Sequence, residues 1–310
     1  MLGPSLFCLL FNPIALSFIH SRPSLYADDI EVHCSHPNLD LAQLKMNQDL
    51  IRVDQWLAKN RMIPNVKKTK SMVIGTRQAL KKANNIGIYL DNEVLDEVTT
   101  FDYLGVRISN ILSWEHHVNK ICQRMYPKFG LLNRISSFLP TVILLRIYKQ
   151  TILPILDYGS IVWHECGSTQ TKRVEKLQNR ALRIILHQGR RKCSQEMRNE
   201  LKLLTLNSRR RFLRFISIFK ILHNLDCPDQ LRDILKFRCN MHDRDLRDKT
   251  LLDLPKVISA TGQSMFKYAG AKDWNSLPSN FREITSISSF KCSIYMYLLE
   301  IDNKSHICSI

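Results

Sequence analysis

Two carboxylates stand side by side in the string Tyr26-Ala27-Asp28-Asp29, and no acidic residue precedes them. Like charges a few ångströms apart repel unless a cation lies between them. A divalent metal removes that conflict. Mg²⁺ is a hard ion that takes one or two protein carboxylates and fills its shell with water and substrate phosphate, so the pair could be half of a two-metal phosphoryl-transfer site. An Asp-Asp pair is also what an ordinary exposed turn carries, and the residue types alone leave both readings open.

The other chemistry in the chain is charge. Its 310 residues include 45 Lys or Arg against 28 Asp or Glu, a net charge of +17. Such an excess points to a polyanion, nucleic acid first and an anionic membrane surface second. Residues 172 to 220 hold fifteen Lys or Arg against three Glu. Within that segment Arg190, Arg191 and Lys192 precede Arg209, Arg210, Arg211 and Arg214. The last four, beside Phe212 and Phe215, would set cations along a phosphate path while the aromatics pack inward. The segment is also rich in Leu and Phe, so it should fold. A solvated basic helix face or a helix lying on a membrane are its alternative readings.

Nine scattered cysteines form no C-x-x-C pair, a pattern that suits free thiols in a reducing, intracellular setting such as nucleus or cytoplasm. The sets Cys227, Cys239, His242 and His33, Cys34, His36 come nearest to a zinc site, without its paired spacing. The first twenty residues are apolar, but Pro4 and Pro13 interrupt them and no basic residue precedes Arg22. They read as a core segment, neither signal peptide nor membrane span.

Several elements must position these residues. Residues 24 to 34 are two apolar runs around a polar turn, a hairpin with Ala27, Asp28 and Asp29 at or near its tip. A helix follows, because Leu39, Ala42, Met46, Leu50, Val53 and Leu57 recur at intervals of three and four, with Asn38 as N-cap and Asn60 as stop. Ser71 to Ile74, Ile86 to Leu90 and Tyr103 to Ile108 are β-prone, so about the first hundred residues read as α+β. Beyond Ser113 the pattern is helical. Trp114, Val118, Ile121, Met125 and Leu132 form one stripe, kinked or ended near Pro127. Val142, Leu145, Tyr148 and Ile152 form a second, and Val174, Leu177, Ala181 and Ile184 a third.

The string Tyr26-Ala27-Asp28-Asp29 resembles the metal-binding turn of reverse transcriptases, and its flanks resemble that family in the same order. Leu2-Gly3-Pro4 looks like the tail of the template- and nucleotide-contacting motif, whose Gln-Gly-Ser beginning is absent. Asn65, Lys68 and Thr69 match the Asn-x-x-Lys-Thr of the next palm motif, and Tyr103-Leu104-Gly105-Val106 the one after it. Trp114 and His117 resemble the non-LTR retrotransposon branch. So do Leu153-Pro154-Ile155-Leu156-Asp157-Tyr158-Gly159, Leu177-Gln178-Asn179-Arg180-Ala181 and Trp274-Asn275-Ser276-Leu277-Pro278.

The resemblance implies an α+β fold: a partial right-hand polymerase palm, an incomplete antiparallel sheet with helices, over residues 1–110. A thumb-like helical region over 111–190 and a basic helical C-terminal region over 191–310 would follow. Asp28 would bind catalytic Mg²⁺ or Mn²⁺ with Asp29 assisting, Tyr26 would lie near the nucleotide or primer end, and Tyr103, Leu104 and Gly105 would grip the primer. Lys68 would neutralise or protonate the departing pyrophosphate, with Lys67 and Lys70 competing for that role. The partners implied are an RNA template, an RNA/DNA duplex and, once the rest of palm and fingers is supplied, deoxynucleoside triphosphates; no membrane is implied. The family also needs an upstream aspartate and a fingers subdomain, which the twenty-five residues before Tyr26 do not hold. The expectation is that the chain as given does not polymerise DNA alone. The alternatives are a non-catalytic nucleic-acid-binding protein derived from such an element and, further off, an interaction protein with no nucleic-acid role.

Overall fold

The computed structural model describes residues 2–82, 86–189, 191–225, 227–240 and 248–307. Arg190 and His242, both named above, lie outside the described residues. The chain divides into two compact units, Met1–Ser113 and Trp114–Ile310.

The first unit opens with helix α1 (Gly3–Phe11) and a 3₁₀ turn (Asn12–Ser17). Strands β1 (Arg22–Tyr26) and β2 (Asp29–His33) then pair antiparallel, with Tyr26 opposite Asp29. Helix α2 (Leu39–Lys59) begins where the Asn38 side chain accepts the Leu41 N–H at 3.2 Å, and it ends at Asn60, the cap and stop its sequence specifies. Val53 and Leu57 pack with Phe11 and Ile14, while Leu50 joins Leu90 and Leu95 in a second small cluster.

The apolar stripe of α2 contains one carboxylate. Asp49 is fully buried and accepts the backbone N–H groups of Ile19, His20 and Ser21 at 3.1, 2.9 and 2.8 Å, together with the Ser21 hydroxyl and Arg52. Burial works to raise its pKa. The bonds from Ser21, Ile19 and His20 outweigh it and hold the carboxyl below the usual carboxylate range. Asp49 therefore ties the chain entering β1 to the helix that backs the hairpin.

The remaining elements of this unit are short: β3 (Lys70–Ser71), α3 (Arg77–Lys82), β4 (Tyr89–Leu90), β5 (Glu93–Val94), β6 (Asp96–Glu97), β7 (Thr100–Tyr103) and β8 (Val106–Ser109). β1 with β2, β4 with β5, and β7 with β8 are antiparallel hairpins, whereas β3 and β6 pair parallel. Each described sheet has two strands.

Three expectations need correction here. The β-prone runs Ser71 to Ile74 and Ile86 to Leu90 are strand only at Ser71 and at Tyr89–Leu90. The β-prone run Tyr103 to Ile108 is not one strand. Leu104 (φ 44°) and Gly105 (φ 80°) both occupy the left-handed region that a two-residue hairpin turn demands, and they fold the run into β7 and β8. The apolar N-terminal segment is not a core segment throughout. Phe11 and Ile14 are buried, but Leu2, Leu6, Leu9, Leu10, Leu16 and Ile19 are exposed, because one small cluster cannot cover every face of α1.

In the second unit α4 (Glu115–Ser136) continues past Pro127, so the helix does not end there. Pro127 and Gln123 are both on the exposed side, so the Gln123 carbonyl that proline cannot bond turns to water. Next come α5 (Thr141–Ile147), a widened π turn (Tyr148–Ile152), α6 (Leu153–Asp157), α7 (Ser160–Trp163), α8 (Ser168–Ile185) and α9 (Ser194–Glu200). Gly159 (φ 60°) takes the left-handed conformation between α6 and α7. The three apolar stripes read from sequence meet in one core, which Met197, Leu201 and Leu203 complete, except that Val142 of the second stripe is exposed and Leu144 takes the buried place beside Tyr148 and Ile152.

A second core gathers on α10 (Leu206–Leu222). After α11 (Asp229–Arg232), α12 (Ala260–Ser264), α13 (Phe266–Asn275), α14 (Ser279–Arg282) and α15 (Ile287–Ile307) follow. Phe215 and Phe219 of α10 pack there with Trp274, Phe290, Ile294 and Leu298. Asp302 of α15 receives the Thr205 N–H at 2.9 Å and the Ser208 hydroxyl at 2.6 Å, fastening the start of α10 to the last helix.

Candidate functional site

The β1–β2 hairpin presents Tyr26 (64% exposed), Ala27, Asp28 and Asp29 at its tip, all open to solvent. Ala27 holds φ 53°, a positive value that a two-residue turn uses and that an alanine adopts only at some cost. Strand alternation places Asp29 and Glu31 on one face of β2. Tyr103, at the end of β7, is their neighbour: burial first, then the negative charges of Glu31 and Asp29, push its phenol above the ordinary range. The fold thus sets Tyr103 within reach of the charges of Glu31 and Asp29, far from it in sequence.

Among the described residues there is no group of three or more His, Cys, Asp or Glu that could hold a metal ion. What stands at the tip is a pair of hard oxygen donors. That is the share of ligands which Mg²⁺ or Mn²⁺ takes from protein when substrate phosphates supply the rest.

Asn65 organises the segment that carries Lys68. Its side-chain oxygen accepts the Lys68 N–H at 3.2 Å, and its carbonyl accepts the Thr69 N–H at 3.0 Å and the Thr69 hydroxyl at 2.9 Å. The spacing Asn-x-x-Lys-Thr is therefore a self-bonded turn in which the lysine is the member left over. Of the three lysines considered, Lys70 is engaged with Asp96 at 2.5 Å, while Lys67 and Lys68 are exposed. Lys68 makes no ion pair with the aspartates.

The arginines of α10 do not lie where a phosphate path would need them. Arg209 is bidentate to Asp157, at 2.7 and 3.2 Å. Arg210 is 4% exposed and lies 4.1 Å over the Trp163 ring, with its Nε and Nη2 lacking hydrogen-bond partners. Arg214, equally buried, donates to Asp273 at 2.7 Å, and Arg211 approaches the same carboxylate at 3.6 Å. These four were expected to point outward with Phe212 and Phe215 inward. The helix is instead enclosed on both sides, so its cations fill a polar seam between α6–α7 and α13. Lys192 pairs with Glu200 at 2.9 Å, and Arg191 is exposed.

His164 sits in the same seam. Burial, then the cations Arg214 and Arg210, lower its pKa from 6.5 to about 4.

The open cationic surface of the second unit belongs to α8. Lys172, Arg173, Lys176, Arg180 and Arg183 fall within about 100° of its circumference, opposite the buried Val174, Ala181 and Ile185. Lys172, Lys176 and Arg180 are exposed, Arg173 and Arg183 half-buried, and none of the five is in an ion pair among the described residues. Arg173 bonds Asn119 at 2.7 Å, and Arg180 lies over the Phe129 and Tyr126 rings of α4 at 5.2 and 5.8 Å. These residues lie in the basic segment of the sequence but outside its contiguous runs at 190–192 and 209–211. The signal that marks them is regular spacing on the polar side of an apolar stripe.

The reverse transcriptase (RNA-dependent DNA polymerase) family matches residues 1–108, which include both hairpin turns. Two curated relatives from Drosophila melanogaster are similar over 60% of this chain. They are a probable RNA-directed DNA polymerase from transposon X-element, 26% identical over 197 residues, and one from transposon BS, 28% identical over 199. The chain is thus similar to reverse transcriptases of retrotransposons, the family its motifs resemble. The match spans 21% of the length of each relative. No solved structure gives a significant match to the chain.

Proposed function

We propose that the chain is part of the RNA-directed DNA polymerase of a mobile element, with residues 1–108 serving as palm and the helices from Glu115 onward as thumb and C-terminal region. The observation that carries this reading is the nearness of Tyr103 to the charges of Glu31 and Asp29 inside the family-matched residues. Asp28 and Asp29 are the residues that would hold Mg²⁺ or Mn²⁺. When bound, the metal would supply neutralisation of the charge that develops in phosphoryl transfer. The Tyr103 phenol, protonated at neutral pH and pushed further up by burial and then by Glu31 and Asp29, offers a hydroxyl donor to a sugar or phosphate at the primer side. Lys68, free of ion pairs, is the cation able to meet the leaving pyrophosphate.

The five cations of α8 hold sugar-phosphate backbone. From Lys172 to Arg183 the helix advances about 16 Å, enough to face several phosphates without reading bases. Arg209, Arg210, Arg211 and Arg214 act indirectly, by fixing α10 behind the thumb core.

Because the described carboxylates at the tip number two and no third joins them, these 310 residues alone should not synthesise DNA. Primer extension with Mg²⁺ or Mn²⁺ tests this: no product is expected, and Asp28-dependent synthesis would overturn it. The missing third carboxylate also favours a second reading, a non-catalytic nucleic-acid-binding protein of the same descent. Binding that ignores both Mg²⁺ and Asp28→Ala would select that reading.

A further inference from the structure

The turn joining α4 to α5 has a composition that backbone holding does not explain. Phe138 is 83% exposed there, with Leu131 and Val142 also open to solvent on either side. From His116 to Leu156 the chain contains no acidic residue, and Arg124, Lys128, Arg134, Arg146 and Lys149 are all exposed. An exposed aromatic side chain loses free energy to water and finds no cover among the described residues. Along that segment the charge is of one sign.

We propose that Phe138 is a stacking platform for an unpaired base of single-stranded nucleic acid, with flanking phosphates held by Arg134 and by the cations of α8. The proposal rests on the nucleic-acid reading given above. Asn119 meets Arg173 and Tyr126 meets Arg180, so α4 and α8 run parallel. The turn after α4 therefore leaves at the end where the α8 cation row finishes. Charge complementarity selects a polyanion, and the flat ring selects one with exposed π faces. Bases already stacked in a duplex cannot meet it, whereas an unpaired base can. An anionic bilayer would need a broader apolar face than these three side chains, and the charge that follows α8 away from the turn would not face it.

The test is equilibrium binding of labelled oligonucleotides of about 20 nucleotides, single-stranded and blunt duplex, to the whole chain and to Phe138→Ala and Phe138→Trp. Phe138 is exposed, so the substitutions leave folding intact, which circular dichroism checks. Loss of one stacked base weakens single-strand binding roughly 5- to 150-fold, with duplex affinity and both salt slopes unchanged and Phe138→Trp retaining the affinity of the parent chain. Equal effects on both oligonucleotides, or no effect on either, would overturn the platform while leaving the backbone-holding reading intact. Binding of neither oligonucleotide by the parent chain would overturn both. Phe138-dependent binding to vesicles containing phosphatidylserine, without single-strand discrimination, would assign the turn to lipid and overturn the proposal.

Discussion

Asp49 gathers three successive backbone N–H groups, a hydroxyl and an arginine onto one buried carboxylate. Asp49→Asn puts an amide N–H₂ against those donors, and we expect a loss of about 2–3 kcal/mol in urea unfolding. The group's pKa is depressed in the folded chain, so its contribution is complete above the usual 3.8 and disappears as pH falls through the lower folded value. The Asn variant should lack that acid-dependent loss. His164 behaves alike over another window. Folded, it titrates at about 4 instead of 6.5, so the unfolded chain takes up the proton first as pH drops. Stability worth roughly 3 kcal/mol should vanish between pH 6.5 and 4, and His164→Gln should flatten that slope in thermal unfolding. Neither residue was legible as special in the sequence. An aspartate on an apolar stripe and a histidine beside a tryptophan acquire their roles only from partners distant along the chain. Asp28 and Asp29 were legible because their neighbours in sequence are also their neighbours in the turn.

Among elements, the β1–β2 turn has the most direct consequence. Ala27 sits at positive φ, a conformation that disfavours a side chain, whereas glycine adopts it freely. Ala27→Gly should raise stability by up to about 1 kcal/mol, seen as a higher urea midpoint, and Ala27→Val should lower it. Helix α2 was readable to both ends because Asn38 and Asn60 act on their own backbone. The hairpin of β7 and β8 was not, since alternation of side chains continues across a two-residue turn and conceals it. On α10 periodicity separated polar from apolar residues correctly, but it could not show that Asp157 and Asp273 would arrive to cover the polar side.

At the scale of the whole molecule, a net charge of +17 divides into cations that structure consumes and cations left to solvent. Arg210 and Arg214 belong to the first class, so Arg210→Ala should destabilise the second unit by about 2–4 kcal/mol through an emptied site beside Trp163 without altering the salt dependence of nucleic-acid binding. Lys172, Lys176 and Arg180 belong to the second. Composition points to a polyanion, and the fold says which cations are open to one. The most direct measurement is the dependence of RNA/DNA duplex affinity on salt concentration, compared between the parent chain and Lys172→Ala/Lys176→Ala/Arg180→Ala. Phosphate holding by α8 predicts a steep logarithmic slope in the parent, reduced by about 2–3 in the triple variant with its fold intact. A parent slope near zero, or one that the three substitutions leave unchanged, would contradict it.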